Sequence, residues 1–355
     1  MAEPGLRPRV RRIQQLHVPP TPLVRRFGLF AEGLEVRTND ARILDAAELA
    51  FGRFDDPASG VPLILRLVVS DPGGAAGGGP PPDARDLRHD TAGHLLTIGL
   101  GTVGRAVVDA ERGFATGSVT AGVAGQPGLL RYAFVEAMAL AMLTGGRGYV
   151  PIHASCVVRD GIGVILQAPA GTGKSTLALA CARRGWGLLA EDVVFARPIQ
   201  GEGRDGADGR LELWGMPWTQ RLLPDAPRFF PELAAAPARL QASGEHKLEV
   251  DLDAHAPGAA TPRALAGPIA LLVRDSGGPT RAEWLGPGSA AEVEVLWPWE
   301  AGWTAAHERT ASSLLDGGLL RVHLNSTPDE AVEALEAALE GALAATTAPA
   351  SGPAG

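Results

Sequence analysis

The sequence contains only two cysteines, Cys156 and Cys181, among 355 residues. So few cysteines exclude a disulfide scaffold, and their spacing matches no zinc-binding pattern. Basic residues are also in the minority, with 32 Lys and Arg against 40 Asp and Glu and a formal net charge of −8. A broadly basic surface for nonspecific nucleic-acid binding is therefore not expected.

Long apolar runs are missing as well. The most apolar helical stretch, residues 132–143, is interrupted by Glu136 and is shorter than the roughly 20 residues that a bilayer requires. The Arg-rich first residues are not followed by an apolar segment, so we expect no signal peptide. These features predict a soluble, cytoplasmic protein with no membrane partner.

Aromatic residues make up only 5% of the chain, whereas hydrophobic residues make up 45% and glycine and proline are abundant. Gly and Pro concentrate in predicted loops at 73–82 and 201–209 and in a predicted disordered tail at 346–355. Short apolar runs predict a smaller α+β or mostly β domain at 1–129. Alternating strand and helix patterns predict an α/β domain at 130–345.

One segment of the second domain has the pattern of a phosphate-binding loop. It lies between a predicted strand and a predicted helix and reads Ala168, Pro169, Ala170, Gly171, Thr172, Gly173, Lys174, Ser175 and Thr176. Glycines allow backbone N–H groups to turn towards phosphate oxygens, and the helix start adds further donors. We expect Lys174 to contact the β- and γ-phosphates of ATP and the Ser175 hydroxyl to bind Mg²⁺. The first glycine of the usual pattern is Ala168, which tolerates no positive φ.

Two adjacent acids, Glu191 and Asp192, follow a short predicted strand 17 residues beyond the loop lysine. Strand ends in an α/β sheet face a common crevice, so this pair is expected beside the loop. One carboxylate would bind Mg²⁺ through water, and the other would accept a proton from an attacking hydroxyl. His153, on the strand before the loop, would hydrogen-bond Glu191 if its strand pairs beside the acids.

Together these residues resemble the kinase domain of HPr kinase/phosphorylase and its relatives. The resemblance spans roughly 150–195 and rests on the short lysine-to-acid spacing and the upstream histidine, with a divergent segment at 211–215. It implies an ATP-dependent serine kinase with a P-loop core similar to the phosphoenolpyruvate carboxykinase nucleotide-binding fold. By position, Glu191 would be the general base, Asp192 would lie near the lysine and the metal, and His153 would polarise the base. Ser175 and Glu212 match metal-binding positions.

Several positions depart from the family pattern. Glu191 stands where the family has Asp, Thr176 where it commonly has Glu, and Trp214 where it has Arg. Arg221 and Lys247 are candidate replacements for the missing arginine. These departures make the chain more similar to the lasso-peptide kinases, which phosphorylate a serine of a precursor peptide, than to the regulator of carbon metabolism.

The sequence therefore predicts transfer of the γ-phosphoryl of Mg-ATP to a Ser or Thr hydroxyl of a protein or peptide. A homo-oligomer is compatible with this interpretation. Two alternatives stay open at this stage: a small-molecule kinase with the same machinery, and a regulatory module that binds nucleotide without turnover.

Overall fold

The computed structural model describes residues 19–55, 60–70, 84–199, 210–240, 245–274, 277–286 and 303–347. The predicted loops at 73–82 and 201–209 lie outside these ranges, as does the predicted tail from residue 348 onwards. The described chain forms a mixed α/β structure with three sheets.

The first sheet has seven strands: β1 (Leu23–Leu29), β2 (Glu32–Thr38), β3 (Leu63–Val69), β4 (Leu87–Ala92), β5 (Leu95–Leu100), β6 (Gly104–Asp109) and β7 (Phe114–Val119). Their spatial order is β1-β2-β3-β7-β6-β5-β4. Strand β3 runs parallel to β2 and β7, whereas the other neighbours are antiparallel. Helix α1 (Ala41–Phe51) contributes its buried face to the core beneath this sheet.

A one-turn helix (Ala121–Ala124) leads into a 21-residue helix, α2 (Pro127–Arg147), which contains a π-helical turn at Arg131–Glu136. Helix α2 is longer than predicted because it continues through Gly145 and Gly146 and ends at Gly148, which is left-handed. The buried residues of α2 belong to the core of the first sheet, and that core continues to Tyr149. Helix α2 thus packs in one core with the first sheet, and Phe195 and Trp214 of later strands join the same core.

Helix α2 has the length and the mean hydropathy, 1.2 over its most apolar window, that a membrane span needs. Two thirds of that window, 67%, is buried inside the protein. The apolar residues of α2 are thus mostly buried in the core that they share with the first sheet.

The second sheet has nine strands: β8 (Val150–His153), β9 (Ser155–Arg159), β10 (Ile162–Gln167), β11 (Gly187–Ala190), β12 (Val193–Pro198), β13 (Leu211–Trp214), β17 (Arg263–Val273), β18 (Arg281–Gly286) and β19 (Leu319–His323). The main path is β11-β9-β10-β17-β13-β12-β8, and β19 joins β17 to β18. Strand β17 is parallel to β10 and β19, so the carboxyl ends of these three strands share one edge.

Three helices complete the second unit: α3 (Lys174–Arg183), α4 (Ala305–Ser313) and α5 (Pro328–Thr347). Short turns lie at Ala84–Asp86, Ala226–Arg228, Pro231–Ala235, Leu252–His255 and Leu314–Gly317. A third sheet, of order β14-β16-β15, is formed by β14 (Thr219–Leu222), β15 (Ala238–Leu240) and β16 (His246–Asp251). The inner residues of β14 and β16 pack in the same core as α3 and α5.

Aromatic rings join the two units. Phe30, in the turn between β1 and β2, stacks on Trp214 with ring centroids 5.7 Å apart and contacts Phe195 and Tyr149 at 5.1 and 5.5 Å. Trp214, which stands where the resemblance implies an arginine, is thus a core residue that packs the second sheet against the first. A partly buried ion pair between Arg197 and Glu32, 3.0 Å apart, reinforces the same junction.

Candidate active site

The loop between β10 and α3 has the backbone of an anion-binding turn. Gly171 and Gly173 have φ values of 77° and 125°, conformations that side chains disfavour. Ala168 is not among the described residues with positive φ, so the alanine is accommodated without strain. Helix α3 begins at Lys174, which directs its unpaired N–H groups towards the loop.

Lys174 and Arg274 hold the two ends of this loop. The Lys174 ammonium is buried and donates a hydrogen bond to the Ala168 carbonyl at 2.6 Å. Arg274 follows β17 at the same sheet edge as the loop, and its Nε donates to the Thr172 carbonyl at 2.7 Å. Both cations therefore lie beside the glycines, where the negative charge of a phosphate would be bound.

The two predicted acids connect β11, which pairs with β9, to β12, which pairs with β8. Strands β8 and β9 are separated at Ala154, because β8 pairs with β12 whereas β9 pairs with β10 and β11. The Ala154 N–H donates to the Asp192 carbonyl at 3.1 Å, and the Ser155 hydroxyl donates to the Glu191 carbonyl. These bonds fix the backbone of the acid pair at the end of the sheet that carries the loop.

Glu191 is buried, with 7% of its surface exposed, between the loop helix and the third sheet. Ser175 Oγ donates to Glu191 Oε1 at 3.0 Å, and Arg221 Nη1 lies 3.6 Å from Glu191 Oε2. Burial raises the pKa of the Glu191 carboxyl to about 7; Arg221 opposes the rise, the neighbouring Asp192 adds to it, and the Ser175 hydrogen bond opposes it. Near neutral pH the Glu191 carboxyl is therefore protonated in part of the molecules and ionised in the rest.

Asp192 lies on the solvent side of Glu191 and pairs with His153, with 3.3 Å between Asp192 Oδ1 and His153 Nε2. This hydrogen bond holds the pKa of Asp192 below its usual value despite some burial. The sequence analysis expected His153 to act on Glu191, but the register of β8 and β12 places His153 opposite Val193 and beside Asp192. The partner of His153 is thus corrected to the second acid.

The two cations suggested as replacements for the missing arginine lie at this site. Arg221 on β14 and Lys247 on β16 are carried by paired antiparallel strands and line the same cavity of about 110 Å³ as the loop and the acids. Lys247 and Arg221 both act to lower the pKa values of Glu191 and Asp192. The third sheet therefore places two cations beside the acid pair.

Glu212 does not belong to this cluster. On β13 it lies opposite Leu265, and Leu265 lies opposite Ile162 at the start of β10, whereas the loop follows the end of β10. Its carboxylate is held by Arg197 and by Arg263, the latter at 2.7 Å. The expected metal-binding role of Glu212 is therefore wrong for this chain, because the residue lies at the opposite end of the sheet and its oxygens are already paired.

The remaining donor set suits a magnesium ion better than a transition metal. In the part of the chain that the structure describes, no three His, Cys, Asp or Glu side chains converge as a metal cluster. The Ser175 hydroxyl, bonded to a buried carboxylate beside the loop, is the kind of oxygen that Mg²⁺ uses. Because Mg²⁺ keeps several waters and takes phosphate oxygens, it needs only one or two protein ligands.

Other residues of the cavity were not anticipated. Arg228 and Arg274 also line the loop cavity, although neither belongs to a motif. The aromatic residues between positions 214 and 230 form no single group: Phe229 lines the loop cavity and Trp218 lines a neighbouring cavity, while Phe230 and Trp214 are core residues. These rings are therefore divided among different surroundings.

No protein-family model and no curated protein matches the chain. Among solved structures, the chain is similar to the Hpr(Ser) kinase/phosphatase from Coxiella burnetii, with a TM-score of 0.30 and 15% sequence identity. The match covers 56% of this chain and 99% of that one. At this level of similarity the function has to be argued from the site itself.

Proposed function

We propose that the protein is a Mg-ATP-dependent kinase that transfers the γ-phosphoryl group to a Ser or Thr hydroxyl of a protein or peptide. The observation that carries the proposal is the hydrogen bond from Ser175, in the first turn of the loop helix, to the buried Glu191 carboxylate. It joins a phosphate-binding loop to an ionisable acid whose pKa is about 7.

The residues divide the work of phosphoryl transfer. The loop N–H groups, Lys174, Lys247 and Arg274 would hold the triphosphate and neutralise its charge, which is the main source of catalysis in this class of reaction. Ser175 would hold Mg²⁺ with Asp192; that ion supplies charge neutralisation at the phosphate oxygens when bound. Glu191, in its ionised form, would accept the proton of the acceptor hydroxyl.

His153 and Arg221 position the two acids. His153 keeps Asp192 ionised through their hydrogen bond. Arg221 lies against Glu191 and limits the rise of its pKa. We expect both residues to affect the rate through these carboxylates.

Incubation with γ-labelled ATP, Mg²⁺ and a library of serine-containing peptides tests the proposal. We expect phosphoserine with the wild-type protein and at least a hundredfold loss with Lys174→Ala. Arg112→Ala, a change of a highly exposed arginine between β6 and β7 of the first sheet, serves as the control and should retain activity. Equal labelling by wild type and Lys174→Ala would contradict the proposal.

A further inference from the structure

A second cavity, of about 240 Å³, adjoins the loop cavity. Glu191, Asp192 and Arg221 line both cavities. A hydroxyl group in the second cavity would therefore be close to both acids without occupying the loop cavity.

The wall of this cavity comes from both units of the protein. Helix α2 contributes Glu136, Leu140 and Thr144, which repeat every four residues and so share one helix face. Strand β12 and the chain before β14 contribute the facing side with an apolar group: Val193, Phe195, Met216 and Trp218. The cavity is therefore mainly apolar, unlike the cationic loop cavity.

The charged groups at this cavity are paired with one another. Arg131 Nε lies 2.5 Å from the buried Glu136 carboxylate. Arg221 faces Glu191, and the Tyr132 ring lies between the Arg131 and Arg221 guanidinium groups, with each at 5.0 Å from its centroid. Arg131, Tyr132 and Glu136 belong to the π-helical turn of α2, a feature that occurs frequently at functional sites. The cavity is thus unsuited to a second phosphate and suited to an uncharged group.

From this arrangement we infer that the second cavity is the acceptor site and takes an apolar group attached close to the acceptor hydroxyl. The inference rests on the proposed kinase function. The same chemistry is available from a peptide, as a large apolar side chain beside the serine, and from a small apolar alcohol. In both, the apolar group would lie between Leu140 and Met216 while the hydroxyl lies at Glu191.

Methyl NMR of methionine-labelled protein tests occupancy without any turnover. Met216 lines the cavity, whereas Met138 and Met142 lie on the opposite side of α2, fully buried in the core. On titration with the alcohols from ethanol to hexanol, we expect the Met216 signal to shift and the affinity to rise about fourfold per methylene. Signals of Met138 and Met142 should not move. Equal shifts of all three signals, or none at Met216 with hexanol, would overturn the inference.

A substitution that fills the second cavity, compared with the same substitution elsewhere on α2, tests the inference further. Leu140→Phe should weaken hexanol binding at least tenfold, whereas Leu129→Phe, on the same helix outside the cavity, should leave it unchanged. Equal binding by both variants would overturn the inference. If Leu140→Phe does not fold, the wild-type titration decides alone.

Transfer assays with Mg-ATP distinguish the two acceptor sources. Labelling of hexanol would identify a small alcohol, and labelling confined to peptides with Leu rather than Asp beside Ser would identify a peptide. Equal labelling of peptides with Leu and with Asp beside Ser would overturn the inference. Absence of any Mg-ATP binding would instead contradict the proposed kinase function, and the Met216 titration would still report on the cavity.

Discussion

Glu191 and Asp192 are adjacent in the chain, but their surroundings give the two carboxyl groups different acidities. Burial raises the pKa of Glu191 to about 7, while the hydrogen bond with His153 lowers the pKa of Asp192. A general base works best when its pKa lies near the working pH. At the scale of single residues, the first acid is therefore the better base and the second stays charged.

This difference predicts the pH dependence of the proposed kinase activity. Glu191 acts as a base only when ionised, so kcat/KM should rise with pH and level off above an apparent pKa of about 7. Glu191→Gln should lose 10²- to 10⁴-fold in kcat together with this rise. Asp192→Asn should be slower but keep the same pH profile. A wild-type rate that does not change between pH 5.5 and 8.5 would contradict the assignment of the base.

At the scale of elements, the turn between β10 and α3 depends on backbone conformation. Gly171 and Gly258 form a matched pair, because their φ values are 77° and 78° and an added Cβ would meet no atom within 4 Å at either. Alanine at each should cost about 1–2 kcal/mol of unfolding free energy. We expect only Gly171→Ala to weaken Mg-ATP binding, measured by calorimetry. Equal affinities of the two variants would show that the loop does not bind phosphate.

The sequence was informative for these elements where local patterns determine structure. The loop, its flanking strand and helix, and the acid pair were predictable because glycines, apolar periodicity and the Lys-Ser pair act within a few residues. The partner of His153 was not, because it depends on which strands pair after the break at Ala154. The exclusion of Glu212 was not predictable either, since it follows from the direction of β13 and from arginines distant in sequence.

At the scale of the whole molecule, the two units share an aromatic junction and a cavity. Phe30 is 4% exposed and contacts Tyr149, Phe195 and Trp214. This packing joins residues distant in sequence, so no local pattern predicts it. Glu191 and Asp192 thus line a cavity whose wall comes from both units.

The aromatic junction predicts that removal of the Phe30 ring greatly lowers the free energy of unfolding. Phe30→Ala should lower the free energy of unfolding by about 3–5 kcal/mol, as expected for removal of a buried ring. Phe114→Ala serves as the control, because Phe114 is 38% exposed, and should cost much less. Denaturant unfolding followed by tryptophan fluorescence measures both. Equal losses would mean that the aromatic junction does not hold the units together.

The account depends most on the loop after β10 and Glu191 forming one nucleotide site. Titration calorimetry of the intact chain with a nonhydrolysable ATP analogue and Mg²⁺ tests this directly. The account predicts saturable binding of one nucleotide per chain, lost in Lys174→Ala and retained in Arg112→Ala. Absence of heat with the wild-type protein, or equal affinity in Lys174→Ala, would contradict it.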